Sequence, residues 1–125
     1  MIVGLGSDLV EIARLEGAWR RRGWRLVERL LTPHERAVLP RAAPAALLAR
    51  RFAAKEAIAK ALGTGMREGI GWQQIEIRSD RRRRPSVVLS GAAADWLAAA
   101  GGGRVWLSIS DERAYALAMA VWEQP

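Results

Sequence analysis

The chain has 125 residues, enough for one domain, since single domains cluster around ~100–150 residues. It holds no Cys and one His, which excludes disulfides, thiol nucleophiles and Cys-ligated metals. Twenty Lys and Arg against thirteen Asp and Glu leave a net charge of +7; this favours an anionic partner such as nucleic acid, a phosphorylated small molecule or an acidic protein, although a GC-rich genome produces the same Arg, Ala and Gly content.

The first stretch, IVGLGSDLVEI, reads as a strand with Gly4 and Gly6 inside it, and glycine within a strand marks close approach of something to the backbone. It has neither a basic segment followed by a long apolar run nor the length to span a membrane, so a cytoplasmic chain is expected. Asp8 falls near the apparent end of this strand, where a carboxylate can cap the helix that follows from about Ile12. That helix ends in Arg20, Arg21, Arg22 and Gly23, and these arginines with Arg14 and Arg25 form either a basic face or an ordinary solvated one. In WRLVERLL, Trp24, Val27, Leu30 and Leu31 recur at helical spacing. Thr32-Pro33-His34-Glu35 has the order of an N-cap, a Pro at the first helical position and a capping Glu.

Pro40 and Pro44 break the chain ahead of a longer helix from about Ala45 to Leu62, closed by Gly63. On its wheel Ala53, Ala54, Ala57, Ile58, Ala61 and Leu62 form the buried stripe, and Glu56 and Lys60 lie together on the opposite side. From spacing alone these two make an exposed ion pair, and Gly63-Thr64-Gly65 is a helix terminator. Ile75 and Ile77 alternate with polar residues in WQQIEIRS, and Pro85 opens SVVLS, giving two strands around the Arg81–Arg84 turn. A short helix, GAAADWLAAAG, precedes the alternating runs VWLSISD and YALAMAVW, an antiparallel hairpin turning at Glu112-Arg113-Ala114. The order β-α-α-α-β-β-α-β-β predicts an α+β fold with helices covering one face of a mainly antiparallel sheet. The thin, Ala-rich core and the Ala face of the last strand lead us to expect self-association.

If Asp8 and Glu56 converge, two carboxylates suit Mg²⁺, which retains waters and takes its other ligands from phosphates. His34 sits in a capping turn, and no Ser-His-Asp, Walker, Rossmann or zinc pattern occurs.

Together, GLGSDLVEIARLE at 4–16, ERLLTPHE at 28–35, RFAAKEAIAKALGTG at 51–65, IEIRSD at 75–80, RPSVVLSG at 84–91 and LSISDERAYALAMAVWE at 107–123 resemble the holo-acyl-carrier-protein synthases, small trimeric 4′-phosphopantetheinyl transferases. The resemblance runs in order over nearly the whole chain and is most specific at 51–65. It implies Mg²⁺-dependent transfer of the 4′-phosphopantetheine arm of coenzyme A to a serine of an apo acyl carrier protein, with release of 3′,5′-ADP. Position by position it makes Asp8 and Glu56 the metal carboxylates and Lys60 the lysine near the phosphates and leaving group. The serine must also lose its proton, and on physical grounds Glu56, directly or more readily through a metal-bound water, is the candidate base. Gly63, Thr64, Gly65 and Arg51 match positions beside coenzyme A, and Arg14, with Arg21 and Arg22, matches the helix that meets the acidic carrier protein. A homotrimer with sites between subunits follows from the same resemblance.

Two departures stand out. Many members carry His where this chain has Asp111, which leaves metal binding, proton transfer or a purely structural part open to that carboxylate. The Gly-Lys-Pro usual before the later strand is Arg83-Arg84-Pro85, which puts the turn geometry in question. Alternative readings are a catalytically impaired carrier-binding protein, motivated by Asp111, and a basic nucleic-acid-binding module, motivated by the arginines but weakened by the single Tyr and single Phe.

Overall fold

A computed structural model describes all residues, Met1–Pro125. Strand β1 (Ile2–Glu11) leads into helices α1 (Ile12–Arg22), α2 (Trp24–Leu30), α3 (Pro33–Arg36) and α4 (Ala45–Leu62). Strands β2 (Ile75–Ser79) and β3 (Pro85–Leu89), helix α5 (Gly91–Ala99) and strands β4 (Arg104–Asp111) and β5 (Tyr115–Glu123) complete the chain. The α+β class and all five strands agree with the sequence reading. Four helices separate β1 from β2, one more than the predicted element order counts, because the short helix that Thr32 caps, as its sequence leads one to expect, is an element of its own. A single 3-10 turn at Trp72–Gln74, not anticipated, leads into β2.

The strands form two antiparallel sheets, one in the order β1-β5-β4 and one of β2 with β3. Helix α4 lies across the first sheet. Twelve of its eighteen residues are buried, so it is a central helix rather than an amphipathic one with a single inner stripe. Ala116, Ala118 and Ala120 of β5 face it and are fully buried. Small residues on both elements shorten the distance between them. The two strand glycines carry this furthest: a Cβ on Gly4 would stand 2.0 Å from the Ala61 carbonyl oxygen, and one on Gly6 2.0 Å from that of Ala57. Two strand residues rise about 6.6 Å and four helical residues about 6 Å, so Gly4 and Gly6 stay in step with Ala61 and Ala57 along the seam.

The capping box at α3 forms as its sequence requires, with Glu35 N–H donating to Thr32 Oγ1 and Thr32 N–H donating to Glu35 Oε1. Gly63 terminates α4 in the left-handed conformation at φ 82°. At the β2–β3 turn Asp80 Oδ1 accepts from the N–H groups of Arg82 and Arg84, both at 2.8 Å. Arg83, at the position where the resemblance leads us to expect glycine, takes φ 61°. The turn therefore keeps a glycine-like conformation and bears the steric cost of a side chain there. None of the helices is long and apolar enough to cross a membrane.

Candidate active site

The close α4–β1 seam determines where the charged residues meet. Asp8 lies in the interior of β1, paired with Ala118, and not at the strand's end. It does not cap α1: the N-cap is Glu11, without a side-chain bond, and the Ile12 N–H donates to the Ala114 carbonyl at 2.8 Å. Asp8 shares the α4-facing row with Gly4 and Gly6, since alternate strand residues point the same way. Lys60 reaches it there. Its ammonium donates to Asp8 Oδ1 at 3.1 Å and to the Ser7 carbonyl at 2.9 Å. The Asp8 side chain is 17 % exposed and that of Lys60 52 %, so the carboxylate is held in place while the ammonium can turn toward an incoming phosphate.

Glu56 is one helical turn before Lys60, but the exposed Glu56–Lys60 ion pair suggested by spacing does not form. Lys60 turns to Asp8 instead, and half-buried Glu56 accepts from the Trp72 indole Nε1–H at 3.2 Å. The structure thus joins Asp8 of β1 to Lys60 of α4 directly, and Glu56 lies one turn before Lys60 on that helix. The set suits a hard divalent cation: two carboxylates offer oxygen ligands, and octahedral Mg²⁺ draws the rest from water and phosphate. No third carboxylate, His or Cys joins them to enclose an ion.

Arg51 and Asp111 lie elsewhere, in a cleft of ≈ 940 Å³ that also holds His34, Arg50, Arg78 and Arg83. Its size is that of a small-molecule site, about 300–1,000 Å³, and its four arginines make it a receptor for anions. Arg50 Nη1 donates to Asp111 Oδ2 at 3.3 Å, so Asp111 is joined to the arginines of this cleft. Burial presses the Arg51 guanidinium below its ordinary value, Glu35 pulls it back and Arg50 adds to the lowering; arginine nevertheless remains charged.

Gly63, Thr64 and Gly65 are at the far end of α4 from Arg51. Gly65 N–H donates to the Ala59 carbonyl at 3.1 Å and the Thr64 hydroxyl to the Gly65 carbonyl at 2.8 Å. Open space lies over the two glycines, where added Cβ atoms would meet nothing within 4 Å. The arginines of the early helices divide into neighbouring groups: Arg21 and Arg22 line one cleft with Arg25 and Arg29, while Arg14 stacks over Phe52 at 5.3 Å. Arg20 is paired with Glu16.

Sequence reasoning missed two partners. Trp72, the donor to Glu56, is sixteen residues away in a loop, beyond any helical spacing rule. Lys55 is fully buried and its ammonium donates to Glu35 Oε1 and the Leu30 carbonyl, both at 2.6 Å, and to the Trp72 carbonyl at 3.0 Å. The only sequence signal for this pair was a Lys beside alanines on an otherwise apolar helix face.

The chain is similar to known proteins over nearly its whole length. The sequence profile of the 4′-phosphopantetheinyl transferase superfamily matches residues 4–120. The chain is 52 % identical over 127 residues to the holo-[acyl-carrier-protein] synthase of Acidithiobacillus ferrooxidans, covering 99 % of this chain and 98 % of that protein. The crystal structure of holo-[acyl-carrier-protein] synthase from Neisseria meningitidis superposes with a TM-score of 0.92 at 41 % identity, covering 99 % of this chain and 100 % of that one. The corresponding Bacillus anthracis enzyme, solved in complex with CoA (3′,5′-ADP), superposes with a TM-score of 0.82 at 36 % identity, covering 100 % and 99 %. A profile match over nearly every residue, with full-length identity of this order, establishes that the chain belongs to the 4′-phosphopantetheinyl transferase superfamily, among the holo-[acyl-carrier-protein] synthases.

Proposed function

We propose that this protein transfers 4′-phosphopantetheine from coenzyme A to the serine of an apo acyl carrier protein, with Mg²⁺, and releases 3′,5′-ADP. The observation that carries the reading is the Asp8–Lys60 contact at the α4–β1 seam, one turn from Glu56, in a chain half identical to an enzyme of that name. Asp8 and Glu56 would hold the ion. When bound, Mg²⁺ supplies a Lewis acid that offsets charge on the pyrophosphate oxygens.

The chain's own residues do the rest. The serine oxygen attacks the β-phosphorus as its bond to the bridging oxygen breaks, and the electron pair leaves with 3′,5′-ADP. Such a transfer requires positioning and charge stabilisation more than covalent chemistry. Lys60, exposed and anchored only at its tip, swings onto the phosphate oxygens as charge grows there. A Glu56 oxygen, or a water that it orders, takes the serine proton. The Gly63-Thr64-Gly65 turn leaves room beside the phosphates for the coenzyme, and the Arg51 cleft, with Asp111 held by Arg50, receives a further anionic part of it. Arg14, Arg21 and Arg22, with Arg25 and Arg29 beside them, meet an acidic carrier protein. We place the reaction in the cytoplasm, with no nucleic acid or membrane involved, and the assembly as a homotrimer with sites between subunits.

The test is the mass of an apo acyl carrier protein after incubation with this protein, coenzyme A and Mg²⁺. A gain of one phosphopantetheine that EDTA abolishes and added Mg²⁺ restores is the expected result. A gain that survives EDTA would overturn the metal assignment, and a Glu56→Ala protein of full activity would overturn the role of Glu56.

A further inference from the structure

Trp72 occupies a position that the reaction as described does not use. Its indole Nε1–H donates to Glu56 Oε1 at 3.2 Å, and no other protein group donates to that carboxylate. Oε2 is left without a protein donor. Three further contacts fix the ring that supplies this bond. Its backbone carbonyl accepts from buried Lys55 at 3.0 Å, its ring leans on Phe52 at a 49° tilt with centroids 6.0 Å apart, and the Arg29 guanidinium lies over it at 5.6 Å. Lys55 is itself immobilised by Glu35 and the Leu30 carbonyl. The donor is therefore held on three sides, while the carboxylate it reaches sits half-buried on a helix whose neighbouring turn carries Lys60.

We propose that Trp72 is the positioning residue for Glu56: its N–H occupies Oε1 and holds the side chain in one rotamer, so that Oε2 is the oxygen offered to the cation and the serine. This rests on the role given to Glu56 above. A carboxylate without such a bond samples several rotamers, and each departure removes one of only two protein ligands. The Phe52 contact alone cannot replace it, because ring packing supplies no donor to the carboxylate.

The test is Trp72→Phe, which keeps an aromatic ring between Phe52 and Arg29 while it removes the donor and part of the ring's bulk; benzothienylalanine at position 72, which keeps the bulk, separates the two. Direct binding of Mn²⁺ by electron paramagnetic resonance is measured together with steady-state kinetics. Partners outside the ligand set typically carry about 10- to 100-fold in metal affinity or activity, and we expect about tenfold losses in Mn²⁺ affinity and in kcat. KM for coenzyme A and for the carrier protein stays within about twofold, since uniform binding is untouched. In a Glu56→Gln background the same change has no further effect on Mn²⁺ binding. Wild-type Mn²⁺ affinity and kcat in Trp72→Phe would overturn the proposal, as would an equal loss of Mn²⁺ binding in the Glu56→Gln background. A fully active Glu56→Ala protein would instead show that the role of Glu56 itself had failed, and this proposal with it. If Trp72→Phe does not fold, benzothienylalanine at position 72, isosteric with tryptophan but without the N–H, makes the same comparison.

Discussion

Lys55 and Glu56 are adjacent in the chain and meet opposite environments, because one residue of helix is a rotation of about 100°. Glu56 looks toward the site. Lys55 points into the core, where its three ammonium protons are all used, on Glu35, the Leu30 carbonyl and the Trp72 carbonyl. Burial presses the Lys55 ammonium below its ordinary value and Glu35 opposes that. Glu35 is equally occupied: Oε1 also accepts from Thr32 N–H, and Oε2 from the Ile77 N–H at 3.0 Å. Its carboxylate thus caps α3, ties down β2 and pairs with Lys55 at once. Removing one member of a buried pair strands the other, so Lys55→Met should cost about 3–5 kcal/mol of stability in urea unfolding at neutral pH. A loss under about 1 kcal/mol would mean that water reaches Glu35 and the pair behaves as an exposed one. The double change Lys55→Met with Glu35→Gln should recover part of the loss, because the stranded charge goes with its partner.

At the scale of elements, the contact between β1 and α4 shapes the site, since Asp8 and Lys60 meet only because two glycines let strand and helix close up. Gly6→Ala places a methyl against the Ala57 carbonyl oxygen, at 2.0 Å if nothing moves. The helix must shift, and overpacking of this kind costs about 1–3 kcal/mol. Activity should fall with stability as the Asp8–Lys60 contact lengthens. Gly17→Ala serves as the control: inside α1 its Cβ would meet only the tip of Arg21 at 3.2 Å, and replacing a helical glycine by alanine gains about 0.5–1 kcal/mol. Unfolding midpoints that move alike in the two variants would overturn this account of the seam. Much of the element plan was legible beforehand for local reasons. Pro44 and Gly63 bound α4, Thr32 and Glu35 cap α3, and period-two alternation marks β2, β4 and β5. Gly4 and Gly6 announced a close approach, although only the folded chain names Ala57 and Ala61 as what approaches. What stayed illegible is what depends on tertiary partners. Spacing on one helix paired Glu56 with Lys60, whereas Lys60 reaches a strand far away in sequence and Glu56 a loop tryptophan. Arg50, which holds Asp111, could not be told from its neighbour Arg51 without the sheet that brings Asp111 to it.

At the scale of the whole molecule, the Ala face of β5 was expected to drive self-association, and the fold uses it differently. That face is spent on α4. The opposite face of the β1-β5-β4 sheet is the one left open, where Leu5, Leu9, Tyr115, Leu117, Met119 and Trp106 are all more than 40 % exposed. In register, Leu9 stands beside Leu117, and Met119 has Ser7 on one side and Ser108 on the other. The result is a continuous, largely uncharged surface on three strands, with no helix over it. Monomeric proteins rarely leave so large an apolar area in water. A sheet face with this alternation needs a second layer, and copies of the same chain supply one most simply if the proposed trimer packs these faces around its axis. A carboxylate at Met119 would then be buried without a partner, at a cost that a weakly held interface cannot absorb. Light scattering should therefore report a trimer for the unaltered protein and a monomer for Met119→Asp. Because the sites are proposed to lie between subunits, that variant should lose transfer activity while its circular dichroism at helix wavelengths is retained. A fully active Met119→Asp monomer would place every residue the reaction needs within one chain, and the outer sheet face would then require a different occupant.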